Sequence, residues 1–422
     1  MDYLLVCHVP FARWQCEGTY LVGDLYLEDL RAEVRALREV GFTVTVASPL
    51  RESLPGTVSG SFSNAIVRPA AEGFELAPLP PYLGARDLVR AWRPLRSRLA
   101  ELTAGADVVQ MDYGGHPAML GELAWRACPR PGPARIWVFD GADPFQRWSL
   151  HARAQRGRLR RLAWETEVRR RTWFLERVLA EADAVFAHNR AVKARFAGSW
   201  SPRCHLLERS YVTEELLLAP EELEARRARL ANDPVLRLVM AGRQIRIKGT
   251  DHALRALALA REAGARLELD VWGEGEDLDA FRTLAAELGL NGAVRFRGSV
   301  PYGPALFAGW DEGHAMVVAN LTPELSRNVL LSLARGLPLV TYRNPGTDAL
   351  LSGHEAAWLV ESGDVQALGA AFVRLARERQ AACRLAERGL SLARLHTLGA
   401  QHRQRARIAA DLVPAASRRA AL

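Results

Sequence analysis

The stretch LRLVMAGRQIRIKGT, residues 236–250, decides how this sequence is read. Its first six residues, apolar apart from Arg237, have the length of a buried strand; Gly242 punctuates them, and a helical pattern starts at Thr250, a residue type suited to cap it. Arg243 and Lys248 stand between strand and helix. A phosphate group needs cations and unsatisfied N–H donors, and a basic loop that feeds a helix N-terminus supplies both. A solvated loop that is merely basic has the same local pattern, so its surroundings must decide.

Downstream, strands and helices alternate. LRLVMA, a helix from Thr250, RLELDVW (266–272), a helix, AVRFRG (293–298), a helix, AMVVA (315–319), a helix and LPLVTY (337–342) follow in order. This is the pattern of a doubly wound parallel sheet, which binds ligands outside the carboxyl ends of its strands. Upstream, the apolar run Tyr3–His8 leads through a long polar loop to Leu27, Leu30, Val34 and Leu37 at helical spacing. Gly41 stands where a C′ residue belongs, and the strand FTVTVAS follows. ADVVQMD (106–112), PAMLGELAWRA (117–127), ARIWVFD (134–140) and AEADAVFAHN (180–189) continue the alternation, with Arg-rich helical sequence before the last.

At 422 residues the chain exceeds one ordinary core. A Glu/Ala/Arg-rich shift around Pro220–Pro234 marks the junction. The expected organisation is an N-terminal α/β domain over 1–224, a second over 235–387, and a basic C-terminal helix, 388–422, packing back across the junction. The two Rossmann-like sheets are expected to face each other across a cleft that holds the site.

Composition bounds the function. With 49% hydrophobic and 25% charged residues the chain is ordinary globular protein. No apolar run reaches the ~18 residues of a membrane span, and Met1-Asp2-Tyr3 lacks a basic leader, so a cytoplasmic address is expected. Cys7, Cys16, Cys128, Cys204 and Cys383 show neither paired nor metal-ligand spacing and read as reduced thiols. The net charge of +8 is concentrated in arginines 153–177 and 384–419. Such helices either lie solvated or dock peripherally on anionic lipid at the inner membrane face. Basic-aromatic interleaving is missing, which argues against nucleic acid.

With these pieces in place, the run from Val235 to about Asp364 resembles the donor-binding half of retaining glycosyltransferases of the GT-B fold, the large bacterial group 1, family 4-like set that uses nucleotide-sugar donors. The resemblance implies a metal-independent transfer of a hexose with retention of configuration, the nucleotide-diphosphate sugar being a co-substrate rather than a cofactor. It leaves the acceptor open between a polysaccharide, a lipid-linked glycan and a small molecule. It assigns Arg243 and Lys248 to the diphosphate, where cations stabilise the charge that develops as the anomeric C–O bond breaks, with Gly242 beside them. It also places the backbone of Arg297 and Gly298 near the nucleotide base. WGEGED (272–277) resembles the family's glycine turn, a short motif that also fits a plain αβ turn.

The resemblance also implies two acids, separated by seven other residues, just before a helix that ends in a GLP-like turn. Counted back without a gap from Gly336, Leu337 and Pro338, the second falls on Leu331 and the first on Pro323, one residue before Glu324. A one-residue deletion would pair Glu324 with Ser332 but rotate a helix face by about 100°, so the gapless register is preferred, with Glu324 serving as the first acid after a small loop shift. Ser326, Arg327 and Asn328 then supply the remaining donor contacts.

In the N-terminal half Gly18 is the candidate for the glycine that approaches the donor phosphates, and Asp140 stands where the family usually has a sugar-contacting His. Asp140 either hydrogen-bonds a sugar hydroxyl or caps the next turn. DYGGHP, with Asp112 and His116, is another strand-end loop facing the expected cleft, and His116 is the acceptor-side candidate, although a lone His is more often structural than catalytic. Neither HExxH nor a DxD pair is present, so no metal site is expected. The rival to the transferase is a non-catalytic GT-B protein, binding saccharide or serving another transferase as accessory subunit; an epimerase or phosphorylase using the same cleft is the third reading.

Overall fold

The computed structural model describes residues 1–52, 64–82, 85–112, 120–139, 158–188, 193, 203–207, 210–323 and 325–414. The chain forms two compact units, one of Met1–Arg209 together with Gly399–Leu422, the other of Ser210–Leu398.

In the first unit the chain runs β1 (Asp2–Val6), β2 (Phe11–Arg13), β3 (Tyr20–Gly23), α1 (Asp24–Glu39), β4 (Thr43–Arg51), β5 (Asn64–Val67), α2 (Pro69–Glu72) and β6 (Phe74–Leu79). It continues through α3 (Ala85–Ala104), β7 (Val108–Asp112), α4 (Leu120–Ala127), β8 (Ala134–Phe139), α5 (Arg158–Glu181), β9 (Ala184–Ala187) and β10 (Cys204–Leu206). The strands form one sheet, ordered β10-β9-β8-β7-β1-β4-β2-β3-β5, with β6 also paired to β4. From β10 to β4 all pairs are parallel. One face is covered by the helices that carry Leu95, Leu99, Leu123 and Leu175. The other face receives Leu27, Leu30, Val34 and Leu37, the stripe legible in the sequence, against Tyr3, Val46 and Ile136. Gly41, at φ +90°, closes α1 as expected.

The polar loop expected before α1 instead contains β2 and β3, an antiparallel pair. Its inward residues Phe11, Ala12 and Val22 are fully buried. Strands of three and four residues are too short for alternation to register against loop composition.

The second unit runs α6 (Pro220–Asn232), β11 (Leu236–Ala241), α7 (Thr250–Glu262), β12 (Leu267–Trp272), α8 (Leu278–Glu287), β13 (Val294–Gly298), α9 (Pro304–Asp311) and β14 (Ala315–Val318). It ends with α10 (Arg327–Ala334), β15 (Leu339–Tyr342), α11 (Pro345–Leu351), β16 (Ala357–Val360), α12 (Val365–Arg377) and α13 (Arg379–Leu395); α14 (Leu398–Leu412) follows. Its sheet, β13-β12-β11-β14-β15-β16, is parallel throughout. Leu254, Leu257, Phe281 and Phe372 pack on one face and Phe307, Trp310, Leu330 and Leu333 on the other. The inner strands β14 and β15 are buried at every residue, which explains why they read as continuous apolar runs, while the edge strand β13 carries Arg295 and Arg297.

The unit boundaries differ from those read in the sequence. Residues 210–224, expected in the first domain, belong to the second: Val212 is fully buried in its core, and Leu218 donates its N–H to the Ala334 carbonyl. The charged composition of α6 is not that of a linker, because Arg226 is buried and bonds Asp311 at 2.7 Å and the Gly313 carbonyl at 3.1 Å. At the other end, residues 388–398 stay with the second unit, while α14 enters the core of the first through Ala406, Ala409 and Val413.

Candidate functional site

β11 lies between β12 and β14, and the strand order runs away from it in both directions. The crevice at its carboxyl end is therefore the switch point of the second sheet, where doubly wound proteins place ligands. The loop Gly242–Gly249 leaves β11 at this point.

The loop is built by glycines and by Gln244. Gly249 has φ +73°, and a Cβ there would stand 2.1 Å from the Ala319 carbonyl oxygen after β14. The N-cap of α7 is this Gly249 rather than Thr250. The Thr250 hydroxyl instead donates to Gln244 Oε1 at 2.9 Å. Gln244 is 1% exposed, and its amide donates to the carbonyls of Gly242 and Trp272 at 2.8 and 3.0 Å. Each of its polar atoms thus has a partner, as a buried amide requires. The turn WGEGED packs directly on this loop: Gln244 N–H donates to the Glu274 carbonyl and Asp277 N–H to the Gln244 carbonyl. A Cβ on Gly273 or Gly275 would stand 2.1 or 2.3 Å from the carbonyl oxygens of Gly242 and Gln244. The glycines of that turn permit close approach of two backbones, a role the sequence pattern left open.

On this frame the cations are displayed outward. Arg243 is exposed and pairs with the exposed Glu276; a surface pair of this kind contributes roughly 0–1 kcal/mol, so a diphosphate can take its place at small cost. Arg246 is exposed and its N–H donates to Asp277 at 2.9 Å. Lys248 is half-buried at the end of the 3-10 turn Arg246–Lys248.

The loop after β14 closes the other side. Leu321 N–H donates to the Ile247 carbonyl, tying it to the basic loop. Asn344 donates to the Thr322 carbonyl at 3.2 Å, and Gly346 leaves room for the Leu325 backbone, 2.5 Å from where a Cβ would be. Ser326 is the N-cap of α10 but makes no capping bond with its side chain. Arg327 lies over the Tyr211 ring, 5.1 Å from its centroid. Asn328 donates at 2.6 Å to the carbonyl of Ala241, the residue before Gly242, so its amide fastens α10 to β11. Leu331 is 2% exposed in the apolar core, and the fully buried Ser332 hydroxyl donates to the Val329 carbonyl. Neither register places a hydroxyl-binding acid on α10. Glu324 lies outside the described residues.

Arg297 and Gly298 end β13. The Gly298 carbonyl accepts from Gly273 N–H at 2.6 Å. The Arg297 side chain bonds the fully buried Asp270 carboxylate at 3.0 Å, shared with Arg295 at 2.7 Å, and lies 5.5 Å from the Trp272 ring centroid.

In the first unit, Gly18 has φ +71° at the tip of the β2–β3 hairpin, with no atom within 4 Å of an added Cβ; its conformation is accounted for by the turn. Asp140 and His116 lie outside the described residues. Asp112 ends β7, where its carboxylate meets His8 beyond β1 at 2.6 Å, a partner sequence reading missed because the two are 104 positions apart.

The second crevice thus brings together a loop with three cations and a helix N-terminus whose first N–H groups lack a side-chain cap. Residues 236–378 match the family Glycosyl transferases group 1. The lipopolysaccharide core biosynthesis glycosyltransferase LpsE of Rhizobium meliloti is 31% identical over 164 residues, 39% of this chain and 46% of that one. The match thus spans less than half of that relative's length. A glycosyltransferase of Rickettsia africae superposes with a TM-score of 0.64 at 14% identity, over 98% of this chain and 99% of its own. HepE of Anabaena, solved with UDP, does so at 0.63 and 14%, over 96% and 99%. Identities this low establish the fold. The chain therefore has the GT-B fold of these solved glycosyltransferases, and its residues 236–378 are similar to the group 1 glycosyl transferases.

Proposed function

We propose that the protein transfers a hexose from a nucleoside-diphosphate sugar to a hydroxyl acceptor, a saccharide, a lipid-linked glycan or a small molecule. The observation that carries this is the basic loop Gly242–Gly249 at the switch point of a sheet whose segment matches the group 1 glycosyl transferases. Arg243, Lys248 and the α10 N-terminus hold the diphosphate and stabilise the charge it gains as it leaves. The nucleotide sugar is a co-substrate, and with the cations supplied by the chain the reading needs no metal. Retention of configuration is what the family resemblance implies.

The decisive experiment is calorimetric and thermal-shift binding of UDP, GDP, ADP, dTDP and their sugar conjugates. A saturable ligand that raises the melting temperature does so by mass action on the native state. The double variant Arg243→Ala/Lys248→Ala is expected to keep the fold and lose the shift. If no nucleotide binds, the accessory-subunit reading, which has Leu331 as its observation, replaces this one.

Among the described residues no helix is long and apolar enough to cross a membrane. Five free thiols, four of them buried, support a reducing compartment such as the cytoplasm. In α5, Leu162 and Trp173 are 61% and 57% exposed. They are eleven residues apart, so they share a helix face to within about 20°, beside Arg169 and Arg177. That face supports peripheral contact with an anionic bilayer. Co-sedimentation with phosphatidylglycerol vesicles, lost in Trp173→Ser, tests it; equal sedimentation of both proteins refutes it.

A further inference from the structure

β11 spans six residues, Leu236–Ala241, so its amino end stands about 20 Å from the loop that leaves its carboxyl end. At that amino end the last turn of α6, the start of β11 and the turn before β14 enclose a cavity of about 350 Å³. Arg229, Asp233, Arg237, Glu312 and His314 line it, and Pro234 and Val235 supply its apolar surface.

The fold satisfies some of these groups and leaves one wanting. His314 Nδ1 accepts the Arg237 N–H at 2.9 Å, so Nε2 carries the proton and donates it to Asp233 Oδ2 at 2.8 Å. That bond fixes the carboxylate and leaves Oδ1 to accept. Arg229 donates to the Asp311 carbonyl at 2.6 Å. The Arg237 guanidinium, by contrast, reaches no acceptor among the described residues. The carboxylates of Glu268, Glu312 and Asp270 stand 3.6, 3.7 and 4.0 Å away, beyond hydrogen-bond range, and Nε is shut from water without a partner. Asp270 is engaged elsewhere, its two oxygens bonded by Arg295 at 2.7 Å and Arg297 at 3.0 Å. A guanidinium held beside a cavity with its donors unmet is a group built to meet something else.

The charges round the cavity balance, two guanidiniums against two carboxylates, with His314 neutral. An anion would meet Asp233 and Glu312 and a cation would meet Arg229 and Arg237, so a net charge on the ligand gains little. A hydroxyl both donates and accepts, and neighbouring hydroxyls can bond a carboxylate and a guanidinium together. Pro234 and Val235 suit the C–H face of a sugar ring. The volume lies at the lower end of the ~300–1,000 Å³ of small-molecule sites.

We propose that this cavity is a saccharide-binding site for a neutral mono- or disaccharide unit, with Arg237 donating to ring hydroxyls and Asp233 and Glu312 accepting from them. The site lies wholly in the second unit, at the opposite end of β11 from the basic loop. It is independent of the nucleotide-sugar reading, because a transferase and a saccharide-binding accessory protein both have a glycan to hold.

The test uses the full chain and ligand-observed NMR, with glucose, galactose, mannose, N-acetylglucosamine and maltose as probes and inorganic phosphate and citrate as charged controls. At least one saccharide is expected to bind saturably in the millimolar range, with hydrogen-exchange protection at 229–237 and 312–314. The variant Arg243→Ala/Lys248→Ala should bind it as wild type does. Arg237→Gln and Glu312→Gln should each weaken it about tenfold or more, the loss of one charge-assisted hydrogen bond. Glu312 is 58% exposed, so Glu312→Gln carries the test if Arg237→Gln melts early. The proposal is overturned if no probe saturates, if phosphate or citrate displaces the saccharide, or if both cavity variants bind as wild type does. Binding lost in Arg243→Ala/Lys248→Ala and kept in Glu312→Gln also overturns it, and moves the saccharide to the crevice at the carboxyl end.

Discussion

The two crevices, at the switch points of two parallel sheets in one chain, are made in opposite ways. In the second unit the loop after β11 is held by backbone: Gly249, Gly273 and Gly275 bring main chains together, Gln244 bonds them, and Arg243 and Arg246 stand exposed on top. In the first unit the corresponding place is marked by a side-chain contact, His8 with Asp112, at the ends of two strands.

The contrast predicts that damage to the backbone frame of the second crevice acts through stability, whereas the partly exposed side-chain pair of the first contributes little to it. Leu331→Glu is expected to have the largest effect: it buries an unpaired charge in the core beneath α10 and costs on the order of 3–5 kcal/mol. Differential scanning calorimetry should show an early transition, and the restored family-like acid should not improve nucleotide binding. Were Leu331→Glu stable and a tighter binder, the gapless register would be functional rather than structural.

Gly249→Ala comes next. Left-handed φ and the Ala319 carbonyl in the way of its Cβ should cost about 2–3 kcal/mol, with fast hydrogen exchange confined to 242–250 and 319–322. Gln244→Ala strands the Thr250 hydroxyl and removes a donor from two carbonyls; a loss of about 1–3 kcal/mol is expected, read as a lower urea midpoint at unchanged slope. His8→Gln, by contrast, should leave the melting temperature nearly unchanged.

The smallest effect is a pH dependence. His314, 6% exposed, accepts the Arg237 N–H on Nδ1 at 2.9 Å and turns Nε2 to Asp233 at 2.8 Å, so the fold holds it neutral. Burial pushes its pKa below the ordinary 6.5. The unfolded chain then binds the proton first, so this contribution to stability is complete above pH 6.5 and is lost as pH falls towards the folded value. The melting temperature of His314→Gln should lose that part of the acid slope.

Much of the second unit is legible in the sequence because its inner strands are covered on both faces, so LRLVMA and AMVVA announce themselves as largely apolar runs. The first unit hides more: β2 and β3 are too short for a period, and the hairpin they form accounts for Gly18. The candidate site divides likewise. Arg243 and Lys248 are visible because they sit next to their strand and helix, whereas Gln244 looks like any loop amide and His8 meets Asp112 only through the sheet. Spacing in sequence reports what a chain does locally, and a contact spanning 104 residues leaves no such trace. Thr250 shows the reverse error: a good capping residue type whose hydroxyl the fold uses to hold Gln244.

The return of α14 to the first unit bears on how the protein is made. Residues 210–398 form one uninterrupted stretch, whereas the core around Tyr3 and Phe186 is completed only by Ala406, Ala409 and Val413, with His402 bonded to Asp29 at 3.1 Å. On the ribosome the half synthesised first must therefore wait for the last residues to emerge, while the half synthesised second can close before it. A chain stopped near residue 398 would leave the tunnel with a finished second unit and an open seam in the first.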